Sequence, residues 1–376
     1  MYAKQEGKKL SREEDLELEK QLKLVNKPAV KTIKTIQGDV YNCVDFYQQP
    51  AFDHPLLKNH TFDFKISPSS YPMRKNYESG NDSTIFDPCK IWLNGKGCPV
   101  GTVPIRKVTK KDLLRANLAS QMYGSKFNPQ SVETPGLHFA VLRTKPDPNK
   151  KYHGAQMQAT IHGVKVNHAQ SSYGRMKVKN SADYIEVGWM VNPLVYNEEL
   201  TRMYIYTNAG QSRCFNTFCP GFVIVSTTFP IDAVLPVRTP KVKGAFLKFM
   251  IDRDVKTGNW YLYIGDSNIV VGYWNYRIFE AGLNNFATYI DWGGQVYGPP
   301  NLPSAPMGAG VEVSGRESTD AYCWKIQYAN GTNFVNADNV EGFSGNPAYN
   351  QWDVGVVNSE LGHQFFYGGA GGYIGN

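Results

Sequence analysis

No stretch of this 376-residue chain stays apolar for long. Its longest such runs, Ile269-Val270-Val271 and Gly221-Phe222-Val223-Ile224-Val225, are strand-sized, far short of the ~18–20 residues a membrane helix needs. A basic stripe is missing too: the net charge is +7, but Lys and Arg are scattered among acids. Neither a membrane nor a nucleic acid is therefore an expected partner. The six cysteines form no CxxC pair and no Cys/His zinc spacing, and the seven histidines form no HExxH. His162 and His168, six apart on a strand and its following turn, should diverge. No metal and no cofactor is expected. Gly265-Asp266-Ser267 has the texture of a serine-esterase motif but sits in a turn between two strands, where a nucleophile elbow needs strand, sharp turn and helix. The Gly-Gly-Ala-Gly-Gly run at 368–372 opens no helix, so it reads as a tail and not a phosphate cradle. No internal repeat is found.

What is present is aromatic and turn-rich. Hydrophobic residues make up 41%, enough for a packed core, and 23 Tyr, 19 Phe and 7 Trp are punctuated by 35 Gly and 22 Pro. That mixture favours short strands over long helices. Three Asn-x-Ser/Thr sequons, at Asn59, Asn81 and Asn330, accompany the even number of cysteines. Together they point to an oxidising, glycosylating compartment and a secreted protein. The polar stretch after Met1 is not a signal peptide, so the expectation is a chain that begins after its leader.

Composition shifts twice along the chain and divides it into 1–108, a linker at 109–136, and 137–376. Ser11-Arg12-Glu13-Glu14 is a capping box opening a charged helix, with Leu16, Leu18, Leu22 and Leu24 on roughly one face. A solvated helix without a specific role is the plain alternative. The polar linker holds a short helix near 111–122 and an extended stretch ending at Pro135-Gly136, the kind of segment proteases cut. From His138 on, strands recur: 138–143, 155–166, 184–191, 202–207, 221–227, 244–252, 260–264, 269–274, 289–297, 324–327 and 364–367. The fold class this spacing predicts is mainly β, an antiparallel sandwich or barrel.

Two of these segments carry matched texture: Tyr184-Ile185-Glu186-Val187-Gly188-Trp189 and Tyr289-Ile290-Asp291-Trp292-Gly293-Gly294-Gln295-Val296-Tyr297. Alternation puts Glu186 on the face of Tyr184 and Gly188, with Ile185 and Val187 turned to the core. Gln295 shares its face with Tyr297 and Gly293. A glutamate mid-strand either faces water or lines a polar groove.

At these residues the chain resembles the neprosin family of plant secreted glutamic peptidases. The N-terminal part is similar to the family's activation peptide at Lys27-Pro28-Ala29-Val30-Lys31-Thr32-Ile33, at Asp39–Asp45, at Gln49–Thr61 and at Cys98–Arg106. The C-terminal part matches at Ile185-Glu186-x-Gly188-Trp189-x-Val191, Cys214-x4-Cys219-x-Gly221-Phe222-Val223, Gly258-Asn259-Trp260, Val271-Gly272-Tyr273-Trp274, Trp292-Gly293-Gly294, Met307-Gly308-x-Gly310 and Tyr367-Gly368-Gly369.

The resemblance implies two curved antiparallel sheets with a concave groove, where two glutamates cut peptide bonds after proline in acid, one activating water and the other donating a proton. It makes residues 1–108 an activation peptide and intramolecular inhibitor, with 41–108 covering the groove. It makes 137–376 the catalytic sandwich, and proline-containing peptides the substrate. Glu186 matches the first glutamate. The second departs: the family reads Trp-Gly-Gly-Glu where this chain has Gln295. A deliberate near-isosteric replacement silencing a zymogen, a natural loss of activity, and a working Glu/Gln pair as in related fungal glutamic peptidases all stay open. Tyr184, Trp292 and Tyr297 are the candidate substrate walls, Trp292 only if Gly293-Gly294 forms a bulge. The resemblance also implies disulfides Cys43–Cys98 and Cys214–Cys219, with Cys89 and Cys323 unassigned. The rival function is a non-catalytic or repurposed groove that binds a cell-wall glycan or a small molecule.

Overall fold

A computed structural model describes residues 11–58, 88–124, 135–210, 212–239 and 245–373. Helix α1 (Arg12–Val25) leads into a three-stranded antiparallel sheet, β1 (Ala29–Lys34), β2 (Val40–Asp45) and β3 (Thr102–Arg106), followed by helix α2 (Lys110–Gly124). The next strands are β4 (Leu137–Thr144), β5 (Gly154–Thr160), β6 (Ser171–Asn180), β7 (Asp183–Val191), β8 (Arg202–Ala209), β9 (Ser212–Phe215), β10 (Phe222–Ile224) and β11 (Phe246–Arg253). The chain closes with β12 (Trp260–Ile264), β13 (Ile269–Trp274), β14 (Tyr289–Tyr297), β15 (Ala321–Asn330), β16 (Asn333–Asn336), β17 (Val340–Ser344), β18 (Asn350–Asn358) and β19 (Gly362–Gly368).

Strands β4 to β19 form two antiparallel sheets. One runs β17-β4-β14-β6-β7-β8-β9; the other runs β10-β13-β12-β11-β5-β15-β19-β18, with β16 on β15. Between them lies a core filled by alternate residues of each strand. Strand β7 gives it Ile185, Val187 and Trp189, β14 gives Ile290, Trp292 and Val296, and the facing sheet answers with Met157, Phe249, Leu262 and Phe365. The other face of the seven-stranded sheet carries a second buried cluster, in which Tyr173, Tyr184, Tyr204, Tyr206 and Phe215 meet Ala119 and Tyr123 of α2. The chain is thus a mainly β, antiparallel two-sheet fold with an N-terminal helix.

The start and the buried face of α2 follow from sequence chemistry. Thr109 and Asp112 cap its start reciprocally: Asp112 Oδ2 accepts from Thr109 N at 2.7 Å, and Asp112 N donates to Thr109 Oγ1 at 3.2 Å. Leu113, Ala116, Ser120 and Tyr123 fall on one face, and all are buried. The small Ala116, Ala119 and Ser120 let the helix lie close to β9 and to the single helical turn Pro193–Tyr196. Helix α1 braces α2 from outside: Asn117 Nδ2 donates to Gln21 Oε1 at 3.0 Å, and Lys110 reaches Asp15 at 2.6 Å. The capping box at Ser11 and Glu14 is present. Its leucines do not share one buried face, however. Leu18 and Val25 are buried while Leu16 and Leu24 are exposed, because the helix rests one narrow stripe on its neighbours.

The three-stranded sheet docks away from the groove, against the chain that follows β10. Tyr41 donates to Asp232 at 2.7 Å, Trp92 Nε1 to Thr228 O at 2.8 Å, and Cys98 N to Thr227 O at 2.7 Å. Arg202, almost wholly buried, pairs with Asp39 at 2.8 Å, and Arg106 bridges Asp39 and Asp232 at 3.0 and 3.5 Å. Disulfides join Cys43 to Cys98 and Cys214 to Cys219; Cys323 is a buried free thiol, and the Cys89 side chain lies outside the described residues. Asn59 and Asn81 also lie outside them, and Asn330 is exposed at the end of β15. Gly265-Asp266-Ser267 is the turn between β12 and β13.

The Cys43–Cys98 bond spans 55 residues and ties β2 to the segment that touches Thr227. Loop-closure entropy puts such a link at about 4 kcal/mol. Replacing both cysteines by serine should lower unfolding free energy in denaturant by about 2–4 kcal/mol, and a loss under about 1 kcal/mol would contradict this account.

Candidate functional site

The site is built on the outer face of the seven-stranded sheet by registers that interleave charges. On β7, Glu186 lies opposite Lys177 of β6 and Tyr206 of β8. On β14, Gln295 lies opposite Tyr173 of β6 and Phe139 of β4, while Asp291 lies opposite Lys177. Arg175 sits between Gly188 and Gly293. These glycines permit the close approach of the three central strands: a Cβ on Gly188 would come within 2.0 Å of Gly174 O, and Gly293 has φ +135°.

Glu186, Lys177, Arg175, Asp291 and Gln295 are all essentially fully buried. Lys177 Nζ is 2.7 Å from Glu186 Oε1. Arg175 Nη1 pairs with Asp291 Oδ1, and Arg175 Nε donates to Gln295 Oε1 at 2.7 Å. Two cations and two carboxylates therefore balance, which is the condition for burying any of them. Burial alone would raise the Glu186 carboxyl, but Lys177 and Arg175 outweigh it and hold the group below its ordinary value. Burial pushes Lys177 down, although Glu186 opposes this. For Arg175, burial works against the charge, yet Asp291 and Glu186 hold it above its already high value. Among the described residues Gln295 Nε2 and Arg175 Nη2 are buried and have no hydrogen-bond partner.

Helix α2 closes the groove, and its Tyr123 reaches the glutamate. The Tyr123 hydroxyl donates to Glu186 Oε2, and Tyr204 donates to the same oxygen at 3.4 Å. The Tyr123 ring is packed among Tyr206, Phe215 and Tyr173, with centroids 4.7, 4.9 and 5.3 Å away. Beside it a small apolar cavity is lined by Met122, Leu137, Tyr173, Leu194 and Tyr297.

Several sequence expectations meet this geometry differently. Glu186 and Gln295 share the groove face, Tyr184 lies under Lys177 at 4.6 Å, and Tyr297 lines the cavity. Trp292 does not belong to the groove. The β14 register is continuous through Gly293 and Gly294 with no bulge, so alternation sends Trp292 into the core between the sheets. Among the described residues it is α2 that reaches Glu186, not residues 41–108, whose sheet docks on the 224–232 stretch. Strand β6, which supplies Arg175 and Lys177, escaped the sequence reading, as did the roles of Asp291 and Tyr123. The alternation Arg175-Met176-Lys177-Val178-Lys179 was the available signal for the first two. Among the described residues, no group of three or more His, Cys, Asp or Glu is placed to hold a metal.

A family model described as Neprosin matches residues 168–370, and one described as Neprosin activation peptide matches residues 32–143. Among solved structures the chain is similar to scytalido-glutamic peptidase with a peptide-based transition state analog, at 6% identity and TM-score 0.35, over 62% of this chain and 98% of that one. It is also similar to SCP-B, a member of the Eqolisin family of peptidases in complex with the tripeptide Ala-Ile-His, at 5% identity and TM-score 0.32, over 62% and 98%.

The Tyr123–Glu186 contact ties helix docking to pH. Because the folded pKa of Glu186 is depressed, its contribution is complete above the usual glutamate value of 4.5 and is lost as pH falls through the folded value. Hydrogen-exchange protection of α2 should therefore hold at neutral pH and drop in acid. Tyr123→Phe should lower neutral-pH protection about 10-fold or more, since a hydrogen bond to a charged group is worth about 1.5–3 kcal/mol. Protection that is flat across the acid range, or unchanged in Tyr123→Phe, would contradict this.

Proposed function

Since the chain belongs to the neprosin family, we propose that it is the zymogen of a secreted glutamic peptidase whose groove is kept latent by its own α2 helix. The observation that carries the reading is the Tyr123 hydroxyl on Glu186: the segment preceding the sandwich occupies the groove at the one glutamate the family pattern marks. The domain assignment is part of this proposal. Residues up to α2 form the inhibitory segment, and the maturation cut falls between α2 and β4, in a stretch that includes residues outside the described set. The two disulfides support an extracellular setting.

In the proposed chemistry, Glu186 is the base. Lys177 keeps it ionised in mildly acidic solution, where an ordinary glutamate begins to lose its charge. Once α2 leaves, Glu186 takes a proton from water as the water oxygen attacks the scissile carbonyl carbon. The oxyanion accepts hydrogen bonds from the Gln295 side-chain amide, whose Nε2 has no partner among the described residues. On collapse the C–N bond breaks, and the proton held by Glu186 passes to the departing nitrogen. A carboxylic acid and an amine result. The apolar cavity lined by Leu137, Tyr173 and Tyr297 suits a proline ring, which is compact and offers no donor.

Gln295 donates hydrogen bonds but no proton. A carboxyl at that position would join Asp291 on Arg175 in a groove whose charges already balance, so it would retain its proton in acid and serve as a second acid. The test is cleavage of a proline-containing peptide by acid-incubated chain. Glu186→Gln should abolish it, and Gln295→Glu should accelerate it by about 10²-fold or more with activity falling as pH rises. If neither the present chain nor Gln295→Glu cuts the peptide, the reading fails and a binding groove takes its place.

A further inference from the structure

We propose that Asp291 and Arg175 are positioning residues that hold the Gln295 amide with its N–H₂ group turned into the groove; only the catalytic consequence rests on the peptidase reading. Asp291 and Gln295 lie four residues apart on one face of β14, and Arg175 of β6 enters between them opposite Gly293. Its Nη1 is engaged by Asp291 Oδ1, its Nε by Gln295 Oε1 at 2.7 Å, and its guanidinium lies over the Phe139 ring at 5.5 Å. All three polar residues are cut off from water.

A guanidinium offers only donors, so it settles which end of the amide faces it. The carbonyl oxygen must meet Arg175 Nε, and the reverse orientation would set N–H against N–H in a dry site. Nε2 is left to point away from Arg175, and it is one of the buried atoms that find no partner among the described residues. That is the geometry an oxyanion donor needs before substrate arrives.

Asp291 is what keeps Arg175 in this pose. The other carboxylate that acts on Arg175 is Glu186, which Lys177 already engages at 2.7 Å. Without the Asp291 charge the guanidinium would be drawn toward Glu186, and the amide would lose its fixed partner. The fork shape matters as much as the charge: Arg175 bonds in two directions at once, which a lysine ammonium on one flexible stem does not reproduce.

The experiment uses the full chain labelled with ¹⁵N at Gln and Arg side chains. The Gln295 Nε2 proton pair is assigned by its loss in Gln295→Ala. In Asp291→Asn and in Arg175→Lys that pair should shift and exchange with solvent about tenfold faster or more, a change of 1.4 kcal/mol per decade. Glu360→Gln, a change at an exposed turn, should leave it in place. If Asp291→Asn fails to fold, Arg175→Lys, which keeps the charge, is read alone. An unmoved Gln295 pair in a folded variant overturns the proposal. In cleavage assays Asp291→Asn should lower kcat about 10-fold, less than the 10²–10³ expected for removing an oxyanion donor outright, with KM unchanged. The same substitution should cost nothing further in a Gln295→Ala background. A kcat loss that persists in full in that background overturns the positioning role while leaving the peptidase reading intact. If no cleavage occurs at all, the peptidase reading falls and the resonance of Gln295 still decides whether Asp291 sets its orientation.

Discussion

A carboxylate stripped of water in the middle of a β-sheet survives only beside a cation, and the 2.7 Å contact between Glu186 and Lys177 is the interaction on which the groove depends. The second cation, Arg175, in turn requires Asp291. The four charges stand on three adjacent strands, so the order β14-β6-β7 fixes their spacing as firmly as the side chains do. Removing one partner from such a set typically costs about 3–5 kcal/mol, because the other charge stays buried and uncompensated. The sheet is thus committed to carrying a charged face that water would otherwise fill.

Helix α2 covers that face. Its aromatic tip fits a box of tyrosines and Phe215, and its hydroxyl supplies Glu186 with a donor in place of solvent. The docking has two components of different character. Ring packing is insensitive to pH, whereas the bond to Glu186 is strongest to an ionised carboxylate. The outward struts between α1 and α2 are half-buried ion pairs and amide contacts at the edge of the fold that contribute little on their own. The Tyr123–Glu186 bond is therefore the pH-sensitive part of the docking, and it weakens only once pH falls through the depressed value of Glu186.

Much of the sandwich could be read from sequence because its strands alternate around a core. The strands at 260–264, 269–274 and 289–297 are bounded as their aromatic and β-branched residues suggest. Strand β6 escaped notice for the opposite reason. Only Met176 and Val178 in its second half face the core, and the cations that alternate with them look like solvent-exposed residues until α2 is seen above them. Trp292 shows how far local pattern goes: alternation alone places it in the core, and a glycine-generated bulge was needed to argue otherwise. Glu186 was legible through its oddity in an apolar strand. Tyr123 was not, since it meets the groove across 63 residues of chain and nothing nearby in sequence marks it. Asp291 was hidden by the texture of its own segment, in which it stands four residues before a more conspicuous glutamine.

The central claim is that the groove at Glu186 is a latent catalytic site restrained by the chain's own N-terminal segment. The most direct measurement is intact mass against time for the full chain held near pH 4, beside the Glu186→Gln variant. The account predicts that the chain loses roughly its first 130 residues, cut in the connection after α2, and that Glu186→Gln stays whole. Equal cleavage of both chains, or of neither, would contradict it.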